Sequence, residues 1–205
     1  MSMAVPTVHI VDDDASFLAA TSRLLRASGF VVKTFASASE FLARRDVEAA
    51  GCAVVDLQMP GLNGLDLQLA LGRTRNPMPV IFLTGQGDIP MSVRAMREGA
   101  EDFLTKTAPK AALLHAIRRA LARDAREREE RARRREICAR FEKLTERERE
   151  VLGHVVRGRL NKQIAGDLGI HERTVKLHRT NITTKLLAPS VAELTRLAHE
   201  AGLLP

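Results

Sequence analysis

Residues 8–14 read Val-His-Ile-Val-Asp-Asp-Asp, a short β-type run that ends in three acids. The pattern returns along the first part of the chain. Val31 to Phe35 is a second apolar run, and Ala53-Val54-Val55 a third, ending at Asp56. Val80-Ile81-Phe82-Leu83 is a fourth, ending at Thr84, and Asp102 to Thr105 a fifth, followed by Lys106. Helical stretches separate them. Ala15 to Ser28 carries Leu18, Leu24 and Leu25 at helical spacing before Gly29. Ser37-x-x-Glu40 is a capping box that predicts a helix to about Val47. Gly64 to about Arg73 reads as helix, and Asp88 is placed to cap another, with Pro90 in its first turn. Five strand–helix units with apolar strands predict a parallel sheet covered on both faces.

In open α/β sheets the reactive site lies outside the carboxyl ends of the strands. Those ends hold Asp12, Asp13 and Asp14, then Asp56, Thr84 and Lys106. Each alone has an ordinary reading: an acidic turn, a capping hydroxyl, a surface lysine. Together on one sheet edge they form a hard-oxygen site suited to Mg²⁺, which is commonly held by one or two carboxylates plus phosphate oxygens. An ionised Asp beside such an ion can attack phosphorus. A Lys and a hydroxyl complete a clamp that acts by positioning and charge neutralisation.

At these residues the chain resembles a two-component receiver domain over 5–122. Val11-Asp12-Asp13, Asp56-Leu57-Gln58-Met59-Pro60-Gly61, Thr84-Gly85 and Lys106 stand in that family's order and spacing. Gly87-Asp88-Ile89-Pro90-Met91 and Gly99-Ala100-x-Asp102-Phe103 resemble its FixJ-like subgroup. The resemblance implies a flavodoxin-like strand order 2-1-3-4-5, with Asp56 as phosphoacceptor. It also implies Mg²⁺ held by Asp13, Asp56 and the backbone carbonyl of Gln58, with Asp12 nearby through water. Lys106 and Thr84 would meet the phosphoryl group, and Phe103 would be the aromatic that reports the Thr84 movement. Gln86 stands where the family tunes phosphoryl lifetime. The chain departs from the pattern at Thr107, where the family has Pro after the Lys, so a trans loop that places Lys106 differently is expected.

No Pro or Gly interrupts residues 110–142, and 123–140 is mainly Arg, Glu and Ala with Glu/Arg pairs at i,i+4. This predicts one long helix whose charged part, 123–140, is a linker. The net charge of +7 is uneven: residues 1–122 carry 13 Lys and Arg against 12 Asp and Glu, and residues 123–205 carry 19 against 13. A basic second half suits a polyanion. With no Trp or Tyr, aromatic stacking is not its main mode of binding. Cys52 and Cys138 lie outside metal-ligand spacing and fit a reduced setting. Neither a signal peptide nor a membrane span is read.

Beyond residue 140 all signals are helical. Thr145-x-x-Glu148 is a capping box before Val151, Leu152 and Val155. Asn161 is read as the cap of a short helix to Leu168, Gly169 as a tight turn, and 171–187 as a longer helix with Val175, Ile182 and Leu186 on one face. Ser190-x-x-Glu193 opens a last helix. The outline is a helix-turn-helix, whose polar face of Lys176, Arg179 and Thr180 suits a major groove. Leu144-Thr145-x-Arg147-Glu148, Asn161-Lys162-x-Ile164-Ala165 and Thr174-Val175-Lys176-x-His178-x-x-Asn181-Ile182-x-x-Lys185-Leu186 resemble the LuxR-type DNA-binding domain over 141–205. The resemblance implies base-facing Lys176, Leu177 and Thr180, with Arg179 beside them. It implies phosphate or backbone contacts from Thr174, Asn161, Lys162 and Lys185, with Asn181 touching DNA or bracing the helix and His178 structural; Arg173 and Lys185 stand at the two ends of the polar face.

Both resemblances together imply a cytoplasmic response regulator. A sensor histidine kinase would phosphorylate Asp56. The fourth helix and fifth strand would then pair two copies on promoter DNA, with activation through RNA polymerase. Two rivals remain at this point: a constitutive DNA-binding protein with a vestigial acidic pocket, and a Mg²⁺-dependent aspartyl-phosphate phosphatase.

Overall fold

The strands pair as their apolar runs predict. In the computed structural model, which describes residues 5–85 and 89–202, five parallel strands form one sheet in the order β2-β1-β3-β4-β5. They are β1 (Thr7–Val11), β2 (Val31–Phe35), β3 (Gly51–Asp56), β4 (Val80–Thr84) and β5 (Asp102–Thr105). Alternation along each strand sends side chains to opposite faces. Val8, Ile10, Cys52, Val54, Ile81 and Leu83 pack with Leu25 of α1 (Ala15–Ala27) and Ile117 of α5 (Lys110–Glu142). Val11, Val55 and Phe82 pack on the other face with α2 (Ala38–Arg44), α3 (Gly64–Gly72) and α4 (Ile89–Arg97) through Phe41, Leu67 and Ala95. Both faces are covered, which is why the strands read as continuous apolar runs.

Register places the polar strand ends side by side. Val11 pairs with Val55, Asp56 with Leu83, and Thr84 with Thr105. Asp12, Asp56, Thr84 and Lys106 therefore leave the sheet at one edge. Gly64 lets α3 start close beneath it: a Cβ there would lie 2.5 Å from the Asp56 carbonyl oxygen and 2.9 Å from the Phe82 ring.

The helix limits differ from the sequence reading at a few ends. The second helix stops at Arg44, not Val47, because Arg45 is already extended and the Asp46 carboxylate turns the chain by accepting the Glu48 N–H. Ser28 is the C-cap of α1. Strand β3 starts two residues earlier than expected, at Gly51. The proposed Asp88 cap, Gly87 and Gln86 lie outside the described residues.

The chain forms two compact units, the first running to Arg128 and the second starting at Glu129. α5 is continuous across that boundary. The charged stretch 123–140 is helical throughout, yet it is not solvated throughout. Asp124 is buried in the first unit, accepting the Gly51 N–H at 2.8 Å and pairing with Arg128, whose guanidinium also donates to the Glu48 carbonyl. Ile137 is buried in the second unit.

The second unit is helical: the end of α5, then α6 (Glu146–Val156), α7 (Asn161–Leu168), α8 (Glu172–Leu186) and α9 (Val191–Glu200). Its core joins Ile137 and Phe141 to Val151, Val155, Ile164, Val175, Ile182, Leu186 and Leu197. Thr145 and Glu148 form the predicted reciprocal cap of α6. Gly169, left-handed at φ 63°, turns α7 into α8. Asn161 is the first helical residue rather than the cap. Leu160 holds the cap position, and its N–H donates to the Gln163 side chain. His171 caps α8 without a side-chain hydrogen bond. No helix among the described residues is long and apolar enough to cross a membrane.

Candidate functional site

Lys106 organises the acidic edge. Its backbone N–H donates to the Thr84 carbonyl at 2.7 Å, which carries the β4–β5 ladder one residue further. Its Nζ lies 2.7 Å from Asp12 Oδ2 and 2.8 Å from Asp56 Oδ2. The ring of Phe17 sits 4.5 Å from the same ammonium, a cation–π contact that adds to the charge pairs. Burial disfavours the ammonium, but the hydrogen bonds to Asp12 and Asp56 outweigh it and hold the Lys106 pKa above its ordinary value. Burial raises the Asp12 carboxyl, and the Lys106 hydrogen bond only partly offsets this. The Lys106–Thr107 peptide is trans, as expected from the departure at Thr107. No cis peptide occurs among the described residues, and the Thr107 hydroxyl lies 3.2 Å from that of Thr105.

The carboxylates differ in setting. Asp12 and Asp56 are buried, and Asp13 is exposed. One oxygen from each of the three falls within 4.8 Å of the others. Asp12 Oδ1 accepts the Asp14 N–H and Asp56 Oδ1 accepts the Gln58 N–H, so each buried carboxylate is oriented by its own loop. Gln58 itself is exposed beside them. The donor set is all hard oxygen, with one exposed acid open to water, and this fits a Mg²⁺ ion that keeps part of its hydration shell. Thr84 is buried at the next strand end, and Phe103, half-buried, tilts against Phe82 at 6.1 Å. The structure thus gathers Asp12, Asp13, Asp56, Gln58, Thr84 and Lys106 at one edge. Phe17 is the neighbour that strand-end reasoning missed.

In the second unit α8 presents Arg173, Lys176, Leu177, Thr180 and Asn181 to solvent, with Thr174, His178 and Arg179 half-exposed. Leu177 is 59% exposed. Lys176 Nζ stands 3.9 Å from Glu172 Oε1, a loose surface pair. Lys162 is exposed at the start of α7, with Asn161 half-exposed beside it. Lys185 differs from the rest of this set. Its ammonium pairs at 2.7 Å with the buried Glu148 carboxylate, which leaves less of its charge for an external phosphate.

Comparison with known proteins supplies the family. Residues 8–118 match the response regulator receiver domain, and residues 142–198 match the bacterial regulatory proteins of the luxR family. The chain is 43% identical over 199 residues to the response regulator protein TodT of Pseudomonas putida, covering 97% of this chain and 88% of TodT. It is 42% identical over 198 residues to the transcriptional regulatory protein FixJ of Azorhizobium caulinodans, covering 97% of this chain and 94% of that protein. Among solved structures, the response regulator StyR superposes with a TM-score of 0.86 at 47% identity, over 96% of this chain and 100% of that one. Full-length FixJ from B. japonicum gives 0.59 at 36% identity, over 99% and 100%. With the receiver edge in one unit and a LuxR-type helix-turn-helix in the other, the chain belongs to the two-component response regulators that regulate transcription.

Proposed function

We propose that Asp56 is the phosphoacceptor and that its phosphorylation by a sensor histidine kinase controls promoter binding by the second unit. The observation that carries this reading is the Lys106 ammonium, seated 2.8 Å from Asp56 Oδ2 and 2.7 Å from Asp12 Oδ2 at the edge where Thr84 also ends. An Asp56 oxygen attacks the donor's phosphorus, and the donor nitrogen leaves with the electron pair of the broken N–P bond. Lys106 then follows the new dianion, and the Thr84 hydroxyl donates to it. Asp13, Asp56 and the Gln58 carbonyl would hold Mg²⁺, with Asp12 beside it through water, and the ion when bound would neutralise charge on the transferred phosphoryl oxygens. Phe103, packed on Phe82, repacks as Thr84 moves. Hydrolysis of the acyl phosphate on the same carboxylate resets the switch.

The output follows the same reading. α4 carries exposed Val93 and Met96, 44% and 47% accessible, and these support pairing of two copies through α4 and β5. Paired second units then bind two half-sites of double-stranded DNA, each placing α8 in a major groove. Lys176, Leu177, Arg179 and Thr180 meet base edges. Arg173, Thr174, Asn161, Lys162 and Asn181 meet the backbone. Lys185 acts chiefly as a brace to Glu148. The protein works in the cytoplasm as an activator that engages RNA polymerase.

The test is phosphorylation by acetyl phosphate, with and without Mg²⁺, read as a shifted band on a phosphate-affinity gel. Wild type should shift only with Mg²⁺, and Asp56→Asn should not shift at all. A band of equal strength in Asp56→Asn would remove Asp56 from this role. The chain has no Trp, so the gel takes the place of an intrinsic tryptophan signal.

A further inference from the structure

Gly153 sits in the interior of α6, where glycine is destabilising by roughly 0.5–1 kcal/mol relative to alanine. Close packing does not explain it. A Cβ at Gly153 would meet nothing within 4 Å, and the residue has no positive φ. What the missing side chain leaves open is a cavity of about 400 Å³ within the second unit. Phe141, Leu152, Val156 and Ala198 wall it, and Cys138 lines it beside Gly153. That volume and apolar lining lie in the range of small-molecule sites.

The chemistry at the rim selects the ligand. Arg149 and Glu142 also line the cavity, and the Arg149 guanidinium donates to the Glu142 backbone carbonyl at 3.3 Å. Arg149 is exposed at that rim and has no carboxylate partner among the described residues. An unpaired guanidinium over an apolar cavity calls for an anionic head on an apolar body. We propose that this cavity, between the end of α5, α6 and α9, binds a small apolar acid, with its carboxylate on Arg149 and its hydrocarbon part in the space that Gly153 leaves. The site is separate from the phosphoacceptor edge and independent of the proposed function.

The experiment uses the full chain, with anilinonaphthalene sulfonate as fluorescent probe and octanoate as competitor. Octanoate should displace the probe, and octylamine should not. Cys138 gives a second readout. It is half-exposed, whereas Cys52 is fully buried and burial pushes its thiol pKa up, so N-ethylmaleimide labels Cys138 selectively. Octanoate should slow that labelling several-fold. Gly153→Leu should fill the cavity and abolish both effects in a protein that still melts cooperatively. Arg149→Gln should weaken octanoate by about fivefold or more while leaving octanol unchanged. If Gly153→Leu fails to fold, the Arg149→Gln comparison and the labelling rates decide. Equal competition by octylamine, or unchanged displacement in folded Gly153→Leu, overturns the proposal. So does probe fluorescence that falls as the chain self-associates, since the occupant is then a second copy. Failure here leaves phosphorylation of Asp56 untouched, because that is read on a different gel and a different unit.

Discussion

Lys185 Nζ lies 2.7 Å from Glu148 Oε2, which ties the last turn of α8 to the first turn of α6. Burial alone would raise the Glu148 carboxyl. Hydrogen bonds from Lys185 and from the Thr145 N–H and hydroxyl outweigh it and hold the group below its usual 4.5. A depressed carboxyl contributes stability that is present above the unfolded-state pKa and is lost as pH falls through the folded-state value. Lys185→Met should therefore lower the stability of the second unit at neutral pH. Because Lys185 is 34% exposed, the loss should be about 1–2 kcal/mol, below the 3–5 kcal/mol of a fully buried pair. The variant should also lose less of its remaining stability than wild type between pH 5 and 4. Denaturant melts across that range check both; parallel pH profiles would show that the pair contributes nothing.

His9 offers a pH effect of the opposite chemical kind. It is buried at the centre of the sheet, its ring 5.3 Å from Phe41 and 6.0 Å from Phe35. Burial, with smaller contributions from the positive charges of Lys33 and Arg45, holds its pKa below the usual 6.5 despite a backbone hydrogen bond at Cys52. The unfolded chain then binds a proton that the folded chain refuses. Stability is full above about pH 6.5 and falls as pH drops below it. His9→Leu, close in volume, should flatten the profile between pH 6.5 and 5. Thermal melts of the two proteins at matched pH are the check, and an unchanged slope would assign the acid sensitivity elsewhere.

On the proposed reading, Lys106 and a divalent cation compete to neutralise the carboxylates of the acidic edge. Removing the ammonium in Lys106→Ala leaves Asp12 and Asp56 facing each other with no cation between them. The variant should be less stable than wild type without metal. Millimolar Mg²⁺ should raise its melting temperature more than it raises that of wild type, since binding to the folded state adds stability by mass action. A Mg²⁺ shift equal in both proteins would place the ion away from these oxygens.

What was legible in the sequence follows from where the physics is local. Continuous apolar strand runs, and the polar residue that follows four of them, place Asp12, Asp56, Thr84 and Lys106 without any tertiary information, because parallel register does the alignment. The capping box at Thr145 and the N-cap at Ser37 are equally local, although at Ser37 the box is only half formed, because Glu40 accepts the Ala36 N–H instead of that of Ser37. Asp124 is the counterexample. In a run of Arg and Glu it reads as one more solvated acid, yet it is buried and bonded to Gly51, 73 residues away. Lys185 likewise stands in the LuxR-type pattern as a backbone contact, and only the packing of α8 on α6 reveals its partner, 37 residues earlier. At Asn161 the error was one of competition: Gln163 caps the Leu160 N–H, and Asn161 moves into the helix.

The exposed face of α8 allows the DNA reading to be divided residue by residue. Lys176 and Leu177 stand on the solvent face of the helix, while Lys162 lies at the start of α7, the preceding helix of the motif. If α8 reads bases, Lys176→Ala should cost about 1–3 kcal/mol on a specific half-site and relax preference at one base pair. Lys162→Ala should instead weaken specific and random DNA alike and reduce the slope of log K against log salt by about one. Lys185→Met should leave that slope near the wild-type value in the folded fraction, because its charge is already committed to Glu148. Titrations of phosphorylated protein against matched specific and scrambled duplexes at several salt concentrations separate the three. Equal loss on both duplexes from Lys176→Ala would reduce that residue to a phosphate contact and leave base selection to Leu177, Arg179 and Thr180.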